Sequence, residues 1–510
     1  MYRKTILTIL PVLTLLTGCI PIGQLEVGVE PTATATVTTP ETVEPAAAPE
    51  TVGDPSQGSG QATEPTGEPA EFGEVAGAVC FPSEYVPPMT LWFRDTSDGT
   101  LYSAPNGENQ SMYTNQLPVG TYIAFGYPDD GVTFGGMYSA AVACGLNVDC
   151  VDHTPLPFDV TAGQTTTGVD ICDWYAEPSQ VPLNPNASFQ TNPTLAGLVY
   201  RDLNAGGIWL VREGGLARPL LDRPDAVISP DGSLALFELD DDIYLADLAA
   251  GTWRNLTNTP DRWESFPRFV PGGSLVFFFS GEISSERMSG LLTLISPDGS
   301  GYAVADERPT SVPPAFHPDG ELMAFSLGDT AWVYHLLNGT VEQFDPAVYG
   351  LQDVRSIASP SWSPDGSRLA WWVVTGEPGA SQTALALFDL GAGLGSGSYS
   401  LLHPYQPIGG GGYNSAPAWS PDSRWMAATV LSEGTKAALW VFSTDGGEIN
   451  LGDVANPVWS GDGAALIATM WPPDGGPAWE STAVLYLTGE WAPNTLDLDP
   501  GSIPTAFLDR

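Results

Sequence analysis

The stretch PSWSPDGSRLAWW, residues 360–372, places a tight-turn tetrapeptide between two short apolar runs. Proline presets φ at the second position of a turn, aspartate suits the third, and glycine at the fourth leaves the turn unstrained. Apolar and aromatic runs bounded by such turns are typical of β-strands. The stretch therefore predicts two antiparallel strands that meet at a corner formed by Asp365.

Variants of this stretch recur at intervals of 40 to 57 residues in the second half of the chain. The copies are ISPDGSLALFEL at 228, FVPGGSLVFFFS at 269, FHPDGELMAFSL at 316, WSPDGSRLAWWV at 362, WSPDSRWMAATV at 419 and WSGDGAALIATM at 459. That period fits a propeller blade, a four-stranded sheet stacked on its neighbours around a central axis. An aspartate repeated in every blade serves the blade, so we expect turn-forming roles for Asp231, Asp319, Asp365, Asp422 and Asp462.

The two ends of this region complete the repeat. Residues 196–221 read as strands two to four of a further unit without a corner, and GSIPTAFLDR at 501–510 reads as its missing first strand. A ring closed in this way leaves no exposed sheet edge. The sequence thus predicts seven blades, with six as the alternative.

The repeats resemble the Ser-Pro-Asp-Gly units of TolB-like propellers, also called PD-repeat or WD-repeat-like propellers. The resemblance covers residues 195–510 and implies an all-β propeller. It carries little information about function, because one fold hosts many activities.

The N-terminus has the three regions of an export signal in residues 1–19: a basic start, an apolar core and small residues before Cys19. The sequence LTGC resembles the lipobox of bacterial lipoproteins, which implies that Cys19 is acylated and becomes the mature N-terminus. We therefore expect a lipid-anchored protein of the cell membrane or outer membrane that faces away from the cytoplasm. A plain signal peptide cleaved elsewhere is the alternative.

Residues 20–72 are rich in Thr, Pro, Glu and Ala and contain few large apolar side chains. Such a composition cannot bury enough surface to offset the entropy of ordering the chain. We expect a disordered linker that holds the folded part away from the membrane.

Four cysteines, Cys80, Cys144, Cys150 and Cys172, lie in the next segment, residues 73–178. Disulfides fit an exported protein, whereas a zinc site, the competing interpretation, lacks the usual paired spacing. Three connectivities are open, and we favour Cys144 with Cys150 and Cys80 with Cys172, since the second pair joins the ends of the segment.

The same segment reads as a small β-sandwich, because aromatic and β-branched runs such as MTLWFRD and GTYIAFGY alternate with Gly- and Asp-rich turns. The stretch YTNQLPVGTYIAFGY resembles transthyretin-like and carboxypeptidase-regulatory-like domains, which implies a folded stalk. Residues 179–194 read as a linker to the propeller.

The chain carries a formal charge of −43, from 60 acidic and 17 basic residues, so a nucleic acid partner is excluded by repulsion. Asp240, Asp241 and Asp242 could hold calcium, but the EF-hand spacing and its glycine are absent, and a solvated loop is preferred. His153, His317, His335 and His403 are scattered without metal-binding spacing. We predict no metal and no cofactor, with calcium as the alternative.

Catalytic motifs are missing from the sequence: it has no G-x-S-x-G elbow, no H-E-x-x-H and no P-loop. We therefore predict that the protein is not an enzyme. The alternative is a propeller hydrolase or lyase with a carboxylate or calcium site near the propeller axis.

The enlarged loops indicate where a partner would bind. They connect strands two and three or successive blades, which places them on one face of the ring, and loops that grow on one face are typical of binding surfaces. We predict a binding or scaffolding protein whose protein or glycan partner meets residues of the types enriched in hot spots, with packing of the loops as the alternative role. These residues are Tyr349, Arg355, Tyr405, Tyr413, Trp471 and Trp479.

Overall fold

The computed structural model describes residues 71–129, 134–177, 180–283, 287, 289–377, 380–391, 393–405, 415–431, 437–472, 476–496 and 498–508. The predicted signal, Cys19 and most of the predicted 20–72 linker lie outside these residues. Within the described part of the chain, no helix is long and apolar enough to cross a membrane.

The first described region contains two small sheets that share one core. One sheet has the order β4-β1-β8, and the other has β3-β2-β5-β6 with β7 paired to β5. Residues from both sheets, among them Val75, Leu91, Tyr113 and Tyr122, form the core between them. The elements are β1 (Phe72–Ala78), β2 (Met89–Asp95), β3 (Leu101–Asn106), β4 (Met112–Pro118), β5 (Gly120–Pro128), β6 (Gly136–Met137), α1 (Ala140–Cys144), β7 (Phe158–Val160) and β8 (Thr165–Thr167).

Two disulfides tie this region together. Cys80 is bonded to Cys172, 92 residues later, and Cys144 is bonded to Cys150. The structure thus has the connectivity favoured from the sequence. Disulfides persist in oxidising compartments, so the protein resides outside the cytoplasm.

The rest of the described chain forms a β-propeller of antiparallel sheets with four strands each, apart from sheet 1, which has a fifth strand, and this confirms the predicted all-β propeller class. Numbered along the chain, propeller sheets 1 to 7 are as follows. Sheet 1 has β37 (Ser502–Phe507), β10 (Leu198–Asp202), β11 (Ile208–Val211) and β12 (Leu216–Leu221). Sheet 2 has β13 (Val227–Ile228), β14 (Leu234–Leu239), β15 (Asp242–Asp247) and β16 (Thr252–Asn255). Sheet 3 has β17 (Arg262–Phe269), β18 (Val276–Glu282), β19 (Gly290–Ile295) and β20 (Ala303–Thr310).

The later sheets follow the same order of strands. Sheet 4 has β21 (Ala315–Phe316), β22 (Leu322–Leu327), β23 (Thr330–His335) and β24 (Thr340–Phe344). Sheet 5 has β25 (Val354–Trp362), β26 (Arg368–Thr375), β27 (Gln382–Asp389) and β28 (Ser398–Tyr405). Sheet 6 has β29 (Ala418–Trp419), β30 (Trp425–Leu431), β31 (Ala437–Ser443) and β32 (Glu448–Gly452). Sheet 7 has β33 (Val454–Trp459), β34 (Ala465–Met470), β35 (Thr482–Leu487) and β36 (Pro493–Thr495).

Each sheet buries both faces against its neighbours. Successive side chains of a strand point to opposite faces, so Phe325 packs toward sheet 3 while Ala324 packs toward sheet 5. A separate apolar cluster fills each junction between consecutive sheets, and another joins sheet 7 to sheet 1 through Ile467 and Tyr200. The stack of sheets therefore closes on itself.

Sheet 1 is built from both ends of the propeller, as the sequence predicts. β37 pairs with β10 in an antiparallel ladder that runs from Leu198 opposite Phe507 to Asp202 opposite Ser502. The segment 179–194, which the sequence suggests is a linker, packs on this sheet: β9 (Phe189–Gln190) pairs with β12, and Leu183 is buried in the adjoining core. Val181 packs instead on Phe125 and Tyr127 of the N-terminal region, so the segment contacts both folded parts.

The corner at Asp365 has the predicted turn role. The Ser363 hydroxyl donates to Asp365 Oδ1 at 2.6 Å, and the Ser367 amide donates to the same oxygen at 3.0 Å. Gly366 has a φ of +71°, which glycine adopts without strain. The Asp365 carboxylate thus accepts hydrogen bonds from the residues of its own corner.

The first strands of three sheets share a second repeated feature, which the sequence pattern did not indicate. Phe266, Ser359 and Asn456 have positive φ, each directly precedes a proline, and the ladder register shifts at each place. Proline has no N–H to donate, so the ladder is interrupted there and the strand bulges.

Candidate functional site

The two faces of the propeller differ in the length of their connections. Antiparallel strands alternate in direction, so loops from second to third strand and from one sheet to the next emerge on one face, here called the loop face. The aspartate corners, between first and second strands, emerge on the opposite corner face. The longest connections, 345–353, 406–417 and 471–481, fall on the loop face, while the corner face carries shorter ones such as 296–302 and 390–397.

The predicted contact residues do not behave as one group. Tyr349 is 5% exposed, its ring stacks on Phe344, and its hydroxyl accepts a hydrogen bond from the Gly395 amide at 3.0 Å. Tyr349 therefore packs its loop onto sheet 5, and the prediction that it contacts a partner is corrected. Arg355 and Trp471 are exposed on the loop face.

The other predicted contact residues lie partly or wholly outside the described structure. Tyr405 ends β28, and Trp479 lies in the short 3-10 helix Ala478–Glu480, but their side chains are outside the described structure. Tyr413 lies outside the described residues altogether.

A cavity of about 380 Å³ opens on the loop face between sheets 2 and 3. Its walls are the turn from β14 to β15, the first half of β17 and Arg287 from the connection between β18 and β19. The lining is dominated by acidic and aromatic side chains, and we call it the acidic pocket. Its residues are Glu238, Leu239, Asp240, Asp241, Trp263, Glu264, Ser265, Phe266 and Arg287.

The turn at the mouth of the acidic pocket has an unusual backbone. Leu239 pairs with Asp242, so Asp240 and Asp241 form a two-residue hairpin loop, with φ of +50° and +71°. Such turns favour Asn and Gly, because positive φ is costly for other residues. The equivalent turn of sheet 4 begins with Gly328, whose φ is +58°. Two carboxylates therefore occupy a turn that glycine would form more easily.

The two glutamates of the acidic pocket differ in exposure. Glu238 is exposed, and its Oε1 accepts a hydrogen bond from the Phe266 amide at 2.7 Å. Glu264 is 2% exposed and accepts a hydrogen bond from the Thr259 hydroxyl. Burial raises the pKa of Glu264. The Glu264 carboxyl is therefore nearer to protonation than that of an exposed glutamate.

One carboxylate oxygen of the acidic pocket is unsatisfied. Glu264 Oε2 is buried and has no hydrogen-bond partner within the described part of the protein. By contrast, hydrogen bonds from the Thr259 amide, Asn255 and Thr257 outweigh burial and lower the pKa of neighbouring Asp242. The Glu264 carboxyl is thus directed toward Thr259, Thr257 and Asp242, which do not line the cavity.

Arg287 supplies the pocket's internal positive charge. Its guanidinium makes a two-point ion pair with the Asp241 carboxylate, with Nη2 2.8 Å from Oδ2. The described Asp, Glu, His and Cys side chains form no group of three that could hold a metal ion. The Asp241 carboxylate thus binds a guanidinium group within the chain itself.

The sequence does not predict that most of these residues line one pocket. Asp240 and Asp241 attract attention as a short acidic run, but Glu238, Glu264, Phe266 and Arg287 are spread over 50 positions of sequence. The local signal in the sequence is weak: Glu264 lies between Trp263 and Phe266 in a first strand that also holds Arg262, Ser265 and Arg268. Only the packing of sheet 2 on sheet 3 brings these residues together.

Comparison with known proteins gives one sequence relative and no matching family model. A stretch of 122 residues, 22% of this chain, is 32% identical to an uncharacterized peptidase, YuxL, of Bacillus subtilis, and it spans 17% of that protein. This relative contradicts the prediction that the chain is not an enzyme. The prediction relied on missing motifs, which exclude particular catalytic classes rather than catalysis as a whole.

Several solved structures resemble the chain distantly. An oligogalacturonate lyase in complex with manganese covers 57% of this chain and 93% of its own, with 13% identity and a TM-score of 0.41. TolB of Acinetobacter baumannii covers 56% of this chain and 66% of its own, with 16% identity and a TM-score of 0.34. Dipeptidyl peptidase 4 of Porphyromonas gingivalis covers 57% and 48%, with 12% identity and a TM-score of 0.36. At this level of similarity, no site residue is transferred to the chain.

Proposed function

We propose that this is a lipid-anchored extracytoplasmic protein whose propeller binds a protein or glycan partner through its loop face. The observation that carries the proposal is that the three longest connections and the acidic pocket share this face. Exposed Arg355 and Trp471 add residue types that dominate binding hot spots. Acylated Cys19 and the linker that follows it would hold this face away from the membrane.

A second candidate function is catalysis in the acidic pocket. A glutamate whose pKa is raised by burial can donate a proton to a leaving group, and Glu264 has this property. The peptidase name of the sequence relative supports an enzymatic candidate. Both candidates require a ligand on the loop face, so the first test addresses binding.

The test is capture of the native partner from envelope extracts by the full chain. The double variant Arg355→Ala with Trp471→Ala should lose most capture, because it removes two exposed contacts from the loop face. The matched control is Arg424→Ala with Tyr302→Ala, which removes the same kinds of exposed side chain from the corner face. Equal loss in the two double variants would refute the proposed face.

A further inference from the structure

A second cavity, of about 440 Å³, lies where the N-terminal region meets the propeller. One wall comes from β2 and β5, another from residues 180–183, and a third from the turn between β10 and β11 and the connection from β12 to β13. Cavities of this size between two folded parts are frequent sites for small molecules. We call it the junction cavity, and its lining includes Arg94, Ile123, Leu203, Asp222 and Arg223.

The walls of the junction cavity are fixed by contacts within the protein. The Tyr127 hydroxyl donates to the Pro182 carbonyl at 2.9 Å, which ties residues 180–183 to the N-terminal region. On the propeller side, a side chain at Gly207 would place its Cβ 2.8 Å from the Leu183 side chain. The fold itself therefore holds the walls in place, as in most small-molecule sites.

Two arginines share one carboxylate in the junction cavity. Arg94 Nη1 pairs with one oxygen of Asp222, and Arg223 Nη1 lies 3.7 Å from the other. Among the described residues, neither arginine forms an ion pair with a second carboxylate. Asp202, also in the lining, uses Oδ1 to accept hydrogen bonds from two amides of its own turn. One positive charge is therefore left without an ion-pair partner.

Unused hydrogen-bond donors of Arg94 face the junction cavity. Arg94 is 5% exposed, and of its guanidinium nitrogens only Nη1 donates to a described residue. Nε is enclosed without a partner, whereas Nη2, which also lacks a described partner, retains accessible surface. Because Arg94 lines the cavity and is otherwise buried, this surface faces the cavity. An acceptor there would satisfy a charged donor that is costly to leave unpaired.

Both guanidinium groups are held against an aromatic ring and destabilised by burial. The Cζ atoms of Arg94 and Arg223 lie 5.8 and 5.2 Å from the centre of the Trp253 ring. The pKa of Arg94 is lowered to about 9, first by burial and then by the Arg223 charge. Burial also lowers the pKa of Arg223, against the opposing charges of Asp225 and Asp240. An anion beside a guanidinium fixed in this way would stabilise its charged form.

The rest of the lining indicates the size of the ligand's charge and the nature of its body. Ile123 and Leu203 retain accessible surface in the cavity, and the buried apolar residues Val181 and Leu183 lie beside them. A multiply charged anion would bring excess charge against these apolar walls, which is unfavourable. A single carboxylate matches the single unpaired positive charge.

We propose that the junction cavity binds a small monocarboxylate with an apolar body. The carboxylate would accept hydrogen bonds from Arg94 Nη2 and from Arg223, and the body would lie against Ile123 and Leu203. This site goes beyond the proposed function of the loop face, because it shares no residue with the acidic pocket or with the predicted partner contacts.

Calorimetry of the full chain with octanoate tests the proposal. Octan-1-ol lacks the charge and acetate lacks the apolar body, so each should bind about tenfold more weakly than octanoate or less. Octan-1-ol binding as tightly as octanoate would overturn the role of the arginines, and acetate binding as tightly would overturn the apolar part of the site. Absence of octanoate binding at millimolar concentration would overturn the whole proposal.

Arg223→Gln locates the charged end of the ligand. It should weaken octanoate binding about tenfold, because a charge-assisted hydrogen bond is lost. Its matched control is Arg218→Gln, which removes an exposed arginine from β12, outside the cavity. Equal weakening in both variants would overturn the proposal, since general electrostatics would then explain binding.

Leu203→Trp tests the cavity without a change of charge. The larger side chain should fill the junction cavity and abolish octanoate binding, while a thermal melt checks that the variant is folded. Unchanged octanoate binding in the folded variant would overturn the assignment to this cavity. Failure of these tests leaves the loop-face proposal standing, because capture by the Arg355 and Trp471 variant is measured separately.

Discussion

Glu264 shows how one residue can link stability to function. Its carboxylate is buried beside Asp242, and one of its oxygens is unpaired within the described structure. Burying an ionised carboxylate opposes folding unless a partner compensates for the lost hydration. We therefore expect the ionised Glu264 side chain to lower the stability of the native state.

This view predicts a pH-dependent effect of Glu264→Gln. Burial raises the pKa of Glu264 above 4.5, so ionisation of this side chain destabilises the native state as pH rises through that folded-state value. The variant should melt at a higher temperature than the parent at neutral pH, and the difference should vanish below pH 4.5, where the carboxyl is protonated in both states. Thermal melts at both pH values measure this.

Glu307→Gln is the control, because Glu307 is exposed on β20 and the substitution removes the same charge. A stabilisation of equal size in the control would show that relief of net negative charge, rather than burial of Glu264, is responsible.

At the scale of elements, the corners do more than turn the chain. A side chain at Gly320 would place its Cβ 2.4 Å from the Pro271 carbonyl oxygen in the preceding sheet, and one at Gly366 would meet His317. Each corner thus packs on its neighbour around the corner face. Glycine is required there both for positive φ and for this close approach.

The sequence predicts these elements well because their signals are local. The corner residues, the periodicity of apolar residues in the strands and a repeat about as long as one blade can all be recognised without knowledge of the fold. Pro267, Pro360 and Pro457 also mark the bulges in the sequence. The positive φ of the residue before each proline, however, depends on packing between sheets. Burial of Tyr349 is equally non-local, since Phe388 and Gly395 lie far along the chain.

Closure of sheet 1 yields a prediction for the C-terminal strand. Deleting residues 503–510 removes β37, exposes the edge of β10 and should lower the melting temperature by several degrees, since a lost strand costs on the order of a few kcal/mol. Hydrogen exchange across β10 should rise. Deleting only residues 509–510 leaves β37 in place and serves as the control; the same melting temperature for the two truncations would rule out closure by β37.

At the scale of the molecule, the disulfide-linked region is fixed to the propeller. Arg94 of β2 pairs with Asp222, and the Trp253 amide of sheet 2 donates to the Asp98 carbonyl at 2.6 Å. Burial and the neighbouring Arg223 charge lower the pKa of Arg94 to about 9. A rigid junction of this kind would let the N-terminal region set the orientation of the loop face.

Neither the side chains of this junction nor those of the acidic pocket can be grouped from the sequence alone. Arg94 and Asp222 are 128 positions apart, and no repeat or motif relates them. The sequence indicates which face of the propeller carries long loops, since that follows from strand order. It does not indicate which side chains meet there, because that depends on how neighbouring sheets pack.

The central claim is that the loop face is the working surface, and a hydrogen-exchange footprint of the full chain with its captured partner tests it most directly. Partner binding should slow exchange at 238–242, 262–268 and 354–356 and leave the corners at 229–233, 318–321 and 363–367 unchanged. Protection confined to the corners would contradict the account.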